Sequence, residues 1–429
     1  MSSTATTTAP SGGSVPSDVL TGPGAEDLLV QVLAAEGADL VSWDVHHVDR
    51  RAGGRVTVGY DLLLRAQPAA SIGHGPPVDR REYLVATNLP VPASDVPGRV
   101  TVRADDGVAT VWRHPADPFL PGLRVACTPS LVADRLPGRA AVESVEIVAY
   151  RPTRRAVVRV VAGGVRHYVK VLRPDRLRAV VVRHDLLDGS RTPRRGAPVG
   201  PSVLAAHDDG LLVLADLPGT SVARALADGR EDALDPAGVL SLLAGLPRAV
   251  TALPARPSAA DRLPELARAA ESTEPTLVAA LHERVAEGLR RSDAGPVVAT
   301  HGDLSVSNLL LEIGRQGAAP RGLLDLDTLG PGHLVDDLAC LVGHLAVLPA
   351  LDPVAYRRAP ALLGRCVTVF GRVVDPLALR ARAAAVVLSL VPGAPDDERA
   401  RAWLRAALEL VDETALTRAS CGSHTWPQA

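Results

Sequence analysis

Lysine is almost missing from this chain. Of its 46 basic residues one, Lys170, is lysine, and the others are arginine. Asparagine is nearly as scarce, at Asn88 and Asn308 only. The richness in Ala, Arg, Gly and Pro points to a GC-rich genome, whose codons disfavour both residues. Where arginine serves, arginine stands. A sole lysine therefore marks a place that needs a compact ammonium on a flexible stem rather than a planar guanidinium. Aromatic residues make up 3% of the chain, so the core must come from Leu, Val and Ala. Cys127, Cys340, Cys366 and Cys421 are scattered without C-x-x-C spacing. That pattern argues against a zinc site or a disulfide framework and fits a reducing cytoplasm. The net charge of −2 gives no electrostatic reason to expect nucleic acid or an acidic membrane as partner. The N-terminus lacks the basic and apolar regions of a secretory signal. No apolar run approaches the roughly 18 residues of a membrane span.

What is present suggests two or three domains in 429 residues. Residues 1–24 are rich in Ser, Thr, Gly and Pro and read as a disordered tail. Residues 25–135 read as a small α+β domain: a helix over 25–35, then strands over 55–65, 82–87, 98–104 and 107–114, closed by a Pro-rich connection. From 140 to 216 the pattern is β-β-β-α-β-β. Strands are predicted over 144–153, 154–162 and 165–173, a helix over 175–188, then the runs SVLAA and GLLVLADLPG. Lys170 sits in the third strand. Residues 217–429 carry apolar residues at helical spacing, over 235–253, 261–273, 275–292, 333–348, 352–374, 377–391 and 396–418.

One polar stretch interrupts those helices. Two short apolar runs, VVAT and GLLDLD, look like strands. The first is followed by His301, Asp303 and Asn308, and the second carries Asp325 and Asp327. Unpaired buried charge is costly, so such residues face a metal, a partner charge or a ligand. The arrangement suggests a Mg²⁺-nucleotide site.

The segments HGDLSVSNLL (301–310), LLDLD (323–327), DDLA (336–339), YVKV (168–171) and LLVLADLPG (211–219) together resemble the aminoglycoside phosphotransferase family. The resemblance implies an α+β, two-lobed protein-kinase-like fold, with a five-stranded antiparallel N-lobe, a mainly helical C-lobe and an extra N-terminal α+β cap domain. The cap is similar in outline to that of maltokinase-like sugar kinases. The cofactors implied are ATP and Mg²⁺, and the partner is a small-molecule hydroxyl acceptor: a sugar, an amino sugar or an aminoglycoside. By the same resemblance Asp303 is the catalytic base, Asn308 and Asp325 hold the metal, and Lys170 meets the α- and β-phosphates. Ala215 to Leu217 would offer backbone groups to adenine. His301 and Asp337 would brace the catalytic loop, and Asp327 would lie near the metals or the acceptor.

Two departures stand out. No glutamate lies between Lys170 and Glu231 to hold the lysine, and Asp185 is the best substitute. The turn AYRPTRRA (149–156) has no glycine where protein kinases carry a Gly-rich phosphate loop. Arg151, Arg154 and Arg155 either cap phosphates there or are solvated hairpin-tip charges. A non-catalytic nucleotide-binding regulatory module on the same fold is the alternative reading.

Overall fold

The computed structural model describes residues 15–34, 38–51, 53–66, 78–93, 97–104, 107–188, 197–230, 234–314 and 317–412. Cys421 and the predicted helix beyond 412 lie outside them, as do residues 1–14 of the expected tail. The chain divides into two compact units. One comprises Met1–Arg178 and Leu204–Ala215, the other Ala179–Val203 and Asp216–Ala429.

The first unit begins with two helices, α1 (Ser17–Thr21) and α2 (Gly24–Ala34). Residues 15–24, read from the sequence as part of a disordered tail, are ordered here, and Val15 and Leu20 are buried apolar residues in the first core. An antiparallel sheet follows, in the order β1-β2-β3-β5-β4. Its strands are β1 (Ala38–Arg51), β2 (Arg55–Ala66), β3 (Val78–Thr87), β4 (Val100–Ala104) and β5 (Gly107–Arg113). Val56, Val58, Tyr60, Leu62 and Leu64 alternate along β2 and face Leu28, Leu29, Val32 and Leu33 of α2 in one core. The strand period of two makes this possible. Tyr60 spends its hydroxyl on the Leu20 carbonyl at 2.6 Å.

Two short helices, α3 (Leu123–Cys127) and α4 (Pro129–Ala133), lead into the second sheet. It is five-stranded and antiparallel, in the order β6-β7-β8-β10-β9. The strands are β6 (Val142–Arg151), β7 (Arg155–Ala162), β8 (Val165–Leu172), β9 (Val203–His207) and β10 (Leu211–Ala215). Helix α5 (Pro174–Leu186) lies between β8 and β9 in sequence. Alternate residues of β7 (Ala156, Val158, Val160 and Ala162) are buried with Val169, Val171, Leu211 and Val213. Leu120, Leu123, Ala126, Val132 and Leu136 complete that core. The stretch 120–136 therefore packs with the second sheet, although the sequence reading ended the N-terminal domain at 135.

In the second unit a short β11 (Thr220–Ser221) precedes α6 (Val222–Ala227), α7 (Pro236–Ala244), α8 (Leu263–Ala270) and α9 (Pro275–Arg290). Then come β12 (Val297–Thr300), β13 (Leu309–Gly314), β14 (Gly317–Leu323) and β15 (Gly330–His333). The chain continues through α10 (Leu334–Leu351), α11 (Ala359–Phe370), α12 (Pro376–Leu390) and α13 (Asp397–Val411). By length and composition alone Leu334–Leu351 and Pro376–Gly393 could cross a membrane, against the expectation that no apolar run comes close. Both are largely buried among the Leu, Val and Ala of the helical core. The fold is α+β and kinase-like, with a five-stranded antiparallel N-lobe sheet and a mainly helical C-lobe.

Candidate active site

Two antiparallel ladders build the polar stretch of the second unit. Strand β12 pairs with β15, Thr300 opposite Gly330 and Val297 opposite His333. Strand β13 pairs with β14, Leu309 opposite Leu323. The second ladder brings Asn308 beside Leu324, whose N–H donates to the Asn308 carbonyl at 2.8 Å, and Asp325 follows directly. Asp325 and Asp327 do not stand on a strand as the sequence suggested. Strand β14 stops at Leu323, Asp325 is left-handed with φ 56°, and Asp327 lies in a 3₁₀ turn over Leu326–Thr328. The left-handed region is sparsely used by residues other than glycine, and such strain collects at functional sites.

The loop between β12 and β13 is held from three sides. Asp337, in the first turn of α10, accepts the His301 N–H and the Gly302 N–H, each at 2.7 Å. His301 Nε2 donates to the Leu324 carbonyl at 2.9 Å, and Nδ1 accepts the Asp303 N–H at 3.3 Å. That fixes the Nε2–H tautomer and ties the loop to the end of β14. Thr328 donates its hydroxyl to the His301 carbonyl at 3.0 Å. Gly302 has φ 80°, and a Cβ there would meet the Thr328 carbonyl oxygen at 2.7 Å, so both conformation and space demand glycine. Burial pushes the Asp337 carboxyl up to about 6, and the neighbouring His301 ring and the two backbone bonds only partly offset it.

Within this frame Asp303 is half-buried. Asn308 donates through Nδ2 to the Asp303 carbonyl at 3.0 Å, which leaves Oδ1 as the ligating end of the amide. Cys340, which the sequence reading did not select, approaches Asp303: Sγ lies 3.8 Å from Oδ1. Burial and then the Asp303 charge push this thiol well above its ordinary range, so it stays an S–H donor. The signal was its spacing, since Asp337 and Cys340 are i and i+3 on one face of α10. Arg183 was missed as well. Its buried guanidinium donates to the carbonyls of Leu329 and Ala179, at 2.9 and 2.7 Å.

Asp185, on α5, is exposed, whereas its neighbours Arg183 and His184 form the buried face of that helix. In the first unit Lys170 is buried, at 4% exposure, in the middle of β8. Val157 and Leu212 stand directly opposite it on the neighbouring strands. It points away from the core that Val169 and Val171 join, by strand alternation. An ammonium is kept in such apolar company only for a counter-charge or an anionic ligand. Ala215 ends β10, and Leu217 follows on the chain's passage into the second unit.

Among the described residues no group of three His, Cys, Asp or Glu side chains forms a metal cage. Mg²⁺ does not need one. It binds one or two carboxylates and takes its other oxygens from phosphate and water, so an amide oxygen and a carboxylate fit it.

A family model described as "Phosphotransferase enzyme family" matches residues 140–362, just over half of the chain. No curated protein matches it. Among solved structures, a thermostable mutant of aminoglycoside phosphotransferase APH(4)-Ia is 15% identical with a TM-score of 0.43, over 66% of this chain and 97% of that one. Macrolide 2'-phosphotransferase MphH from Brachybacterium faecium is 18% identical with a TM-score of 0.34, over 66% and 96%. Aminoglycoside phosphotransferase APH(3'')-Id from Streptomyces rimosus is 21% identical with a TM-score of 0.34, over 62% and 92%.

Proposed function

The chain belongs to the phosphotransferase enzyme family, and from that premise we propose that it moves the γ-phosphate of ATP to a hydroxyl of a small molecule: a sugar, an amino sugar or an aminoglycoside. The observation that supports this most is the braced 301–308 loop, which carries Asp303 and Asn308 and is tied at Asn308 to Leu324, the residue before Asp325.

Phosphoryl transfer asks for positioning and charge neutralisation more than for covalent help. Asp303 orients the acceptor hydroxyl and takes its proton on a carboxylate oxygen as the oxygen attacks the γ-phosphorus, while the bond from that phosphorus to the β–γ bridging oxygen breaks and ADP leaves with the electron pair. Asn308 and Asp325 would hold Mg²⁺, which when bound neutralises charge on the phosphate oxygens. Lys170 donates to the α- and β-phosphates, and Asp185 serves as its counter-charge. The backbone from Ala215 to Leu217 receives the adenine. Asp327 sits near the metal or the acceptor, and His301 and Asp337 keep the loop in register without reacting.

A screen of ATP consumption against sugars, amino sugars and aminoglycosides identifies the acceptor. With it in hand, Asp303→Asn should lower kcat by about 10²–10⁴-fold and leave ATP affinity in place. Unchanged turnover in that variant rejects Asp303 as the base. ATP binding without turnover on any acceptor would make the chain a regulatory module instead.

A further inference from the structure

The turn between β6 and β7 occupies the position where protein kinases cover the phosphates with a flexible glycine loop. Here it holds Pro152 and Thr153, and something else fixes it. Thr153 is fully buried with φ 63°, a conformation that a β-branched residue keeps only when its surroundings impose it. Asp117 imposes it. Its carboxylate, 2% exposed, accepts the Thr153 N–H and the Tyr150 hydroxyl on Oδ2, both at 2.8 Å, and the Phe119 N–H on Oδ1 at 2.8 Å. Strand β1 adds two more ties. Arg51 donates to the Thr153 hydroxyl at 2.8 Å, and Asp49 accepts Arg154 in a bidentate pair at 2.7 and 3.0 Å. The Tyr150 ring completes the seam, edge-on to Tyr83 and His114 with centroids 5.8 and 4.9 Å apart. Arg154 is thus half-exposed but paired, with its guanidinium on Asp49 of β1.

We propose that the N-terminal module sets the affinity for nucleotide by holding the β6–β7 turn in its phosphate-covering shape, with Asp117 and Asp49 as positioning residues. The inference rests on the phosphotransferase reading. The physical reason is preorganisation. A turn ordered in advance does not have to be ordered when the nucleotide arrives, and that saving appears as affinity. A glycine loop closes on its ligand at an entropic cost; a turn latched through two strands and a buried carboxylate has met that cost during folding.

The test compares full-length wild type with Asp117→Asn, Asp49→Asn and Tyr60→Phe. Mg²⁺-ATP affinity is measured by titration calorimetry, amide exchange over residues 150–154 by mass spectrometry. Asp117→Asn keeps one oxygen, so its NH₂ group faces either the Phe119 N–H or both the Thr153 N–H and the Tyr150 hydroxyl, and in either case the charge that gathers the three donors is gone. The substitution should raise the ATP Kd about tenfold, a cost of about 1.4 kcal/mol, and speed exchange in the turn. Asp49→Asn, at a mostly buried carboxylate that also pairs with Arg51, keeps one oxygen for the arginines and should move both in the same direction by a smaller factor; it decides the matter if Asp117→Asn does not fold. Tyr60→Phe loosens the same module away from the turn, so it should lower Tm with the ATP Kd unchanged. Wild-type ATP affinity in a folded variant whose turn exchanges faster overturns the inference, and so does an equal loss of affinity in Tyr60→Phe. A wild type that binds no ATP removes the phosphotransferase reading, and the inference with it.

Discussion

Asp337 does two things that pull in opposite directions. It accepts two backbone N–H groups, which favours the carboxylate, and it is wholly buried, which disfavours it. Burial wins, and the carboxyl titrates near about 6, above the ordinary value of about 4. A folded-state pKa above the unfolded one means that the folded chain holds the proton more tightly. This contribution to stability is thus fully present below about pH 4 and is lost as pH rises through about 6. Asp337→Asn cannot titrate, and its NH₂ group must face one of the two loop N–H donors, a cost of about 1–3 kcal/mol. Thermal unfolding should find the advantage of wild type over this variant largest near pH 4 and smaller by pH 7. An advantage that stays flat across that range would show that Asp337 does not titrate in the fold.

The β13–β14 hairpin delivers Asn308 and Asp325 together, and the turn after it bends through a left-handed aspartate. Left-handed backbone costs an L-residue about 1–2 kcal/mol, and glycine avoids that cost. Asp325→Gly should therefore hold or raise Tm while phosphotransfer disappears; a clear fall in Tm would mean that the carboxylate is structural. The local pattern carried much of this. HGD-x-x-x-x-N, LLDLD and DDLA place the loop, the side chains proposed for the metal and the start of α10 in order, and β6–β8 follow from their apolar alternation. Strand β1 was missed because it carries Asp, His and Arg along a mostly exposed face and shifts register twice, which hides its period. Asp117 was missed because its partners Tyr150 and Thr153 are 33 and 36 residues away, and nothing local announces a long-range acceptor.

The molecule's covalent order and its packing order disagree at one place. Residues 120–136 follow the first sheet in sequence, yet Leu120, Leu123, Ala126, Val132 and Leu136 are core for the second. A chain cut to begin at Leu136 strips four of those apolar side chains from the N-lobe, where each large-to-small loss alone costs about 2–5 kcal/mol. One cut to begin at Asp117 keeps them. The shorter chain should precipitate or unfold at lower temperature, while the longer one stays folded; equal solubility and Tm would place the division elsewhere. The scarcity of lysine gives the whole chain a further property. An amine-directed acylating reagent meets a single side-chain amine in 429 residues, and that amine lies buried in the middle strand of the second sheet. Acylation at Lys170, read on its own peptide apart from the terminal amine, becomes a clock for the exposure of that side chain. Nucleotide should slow the clock if its phosphates rest on Lys170.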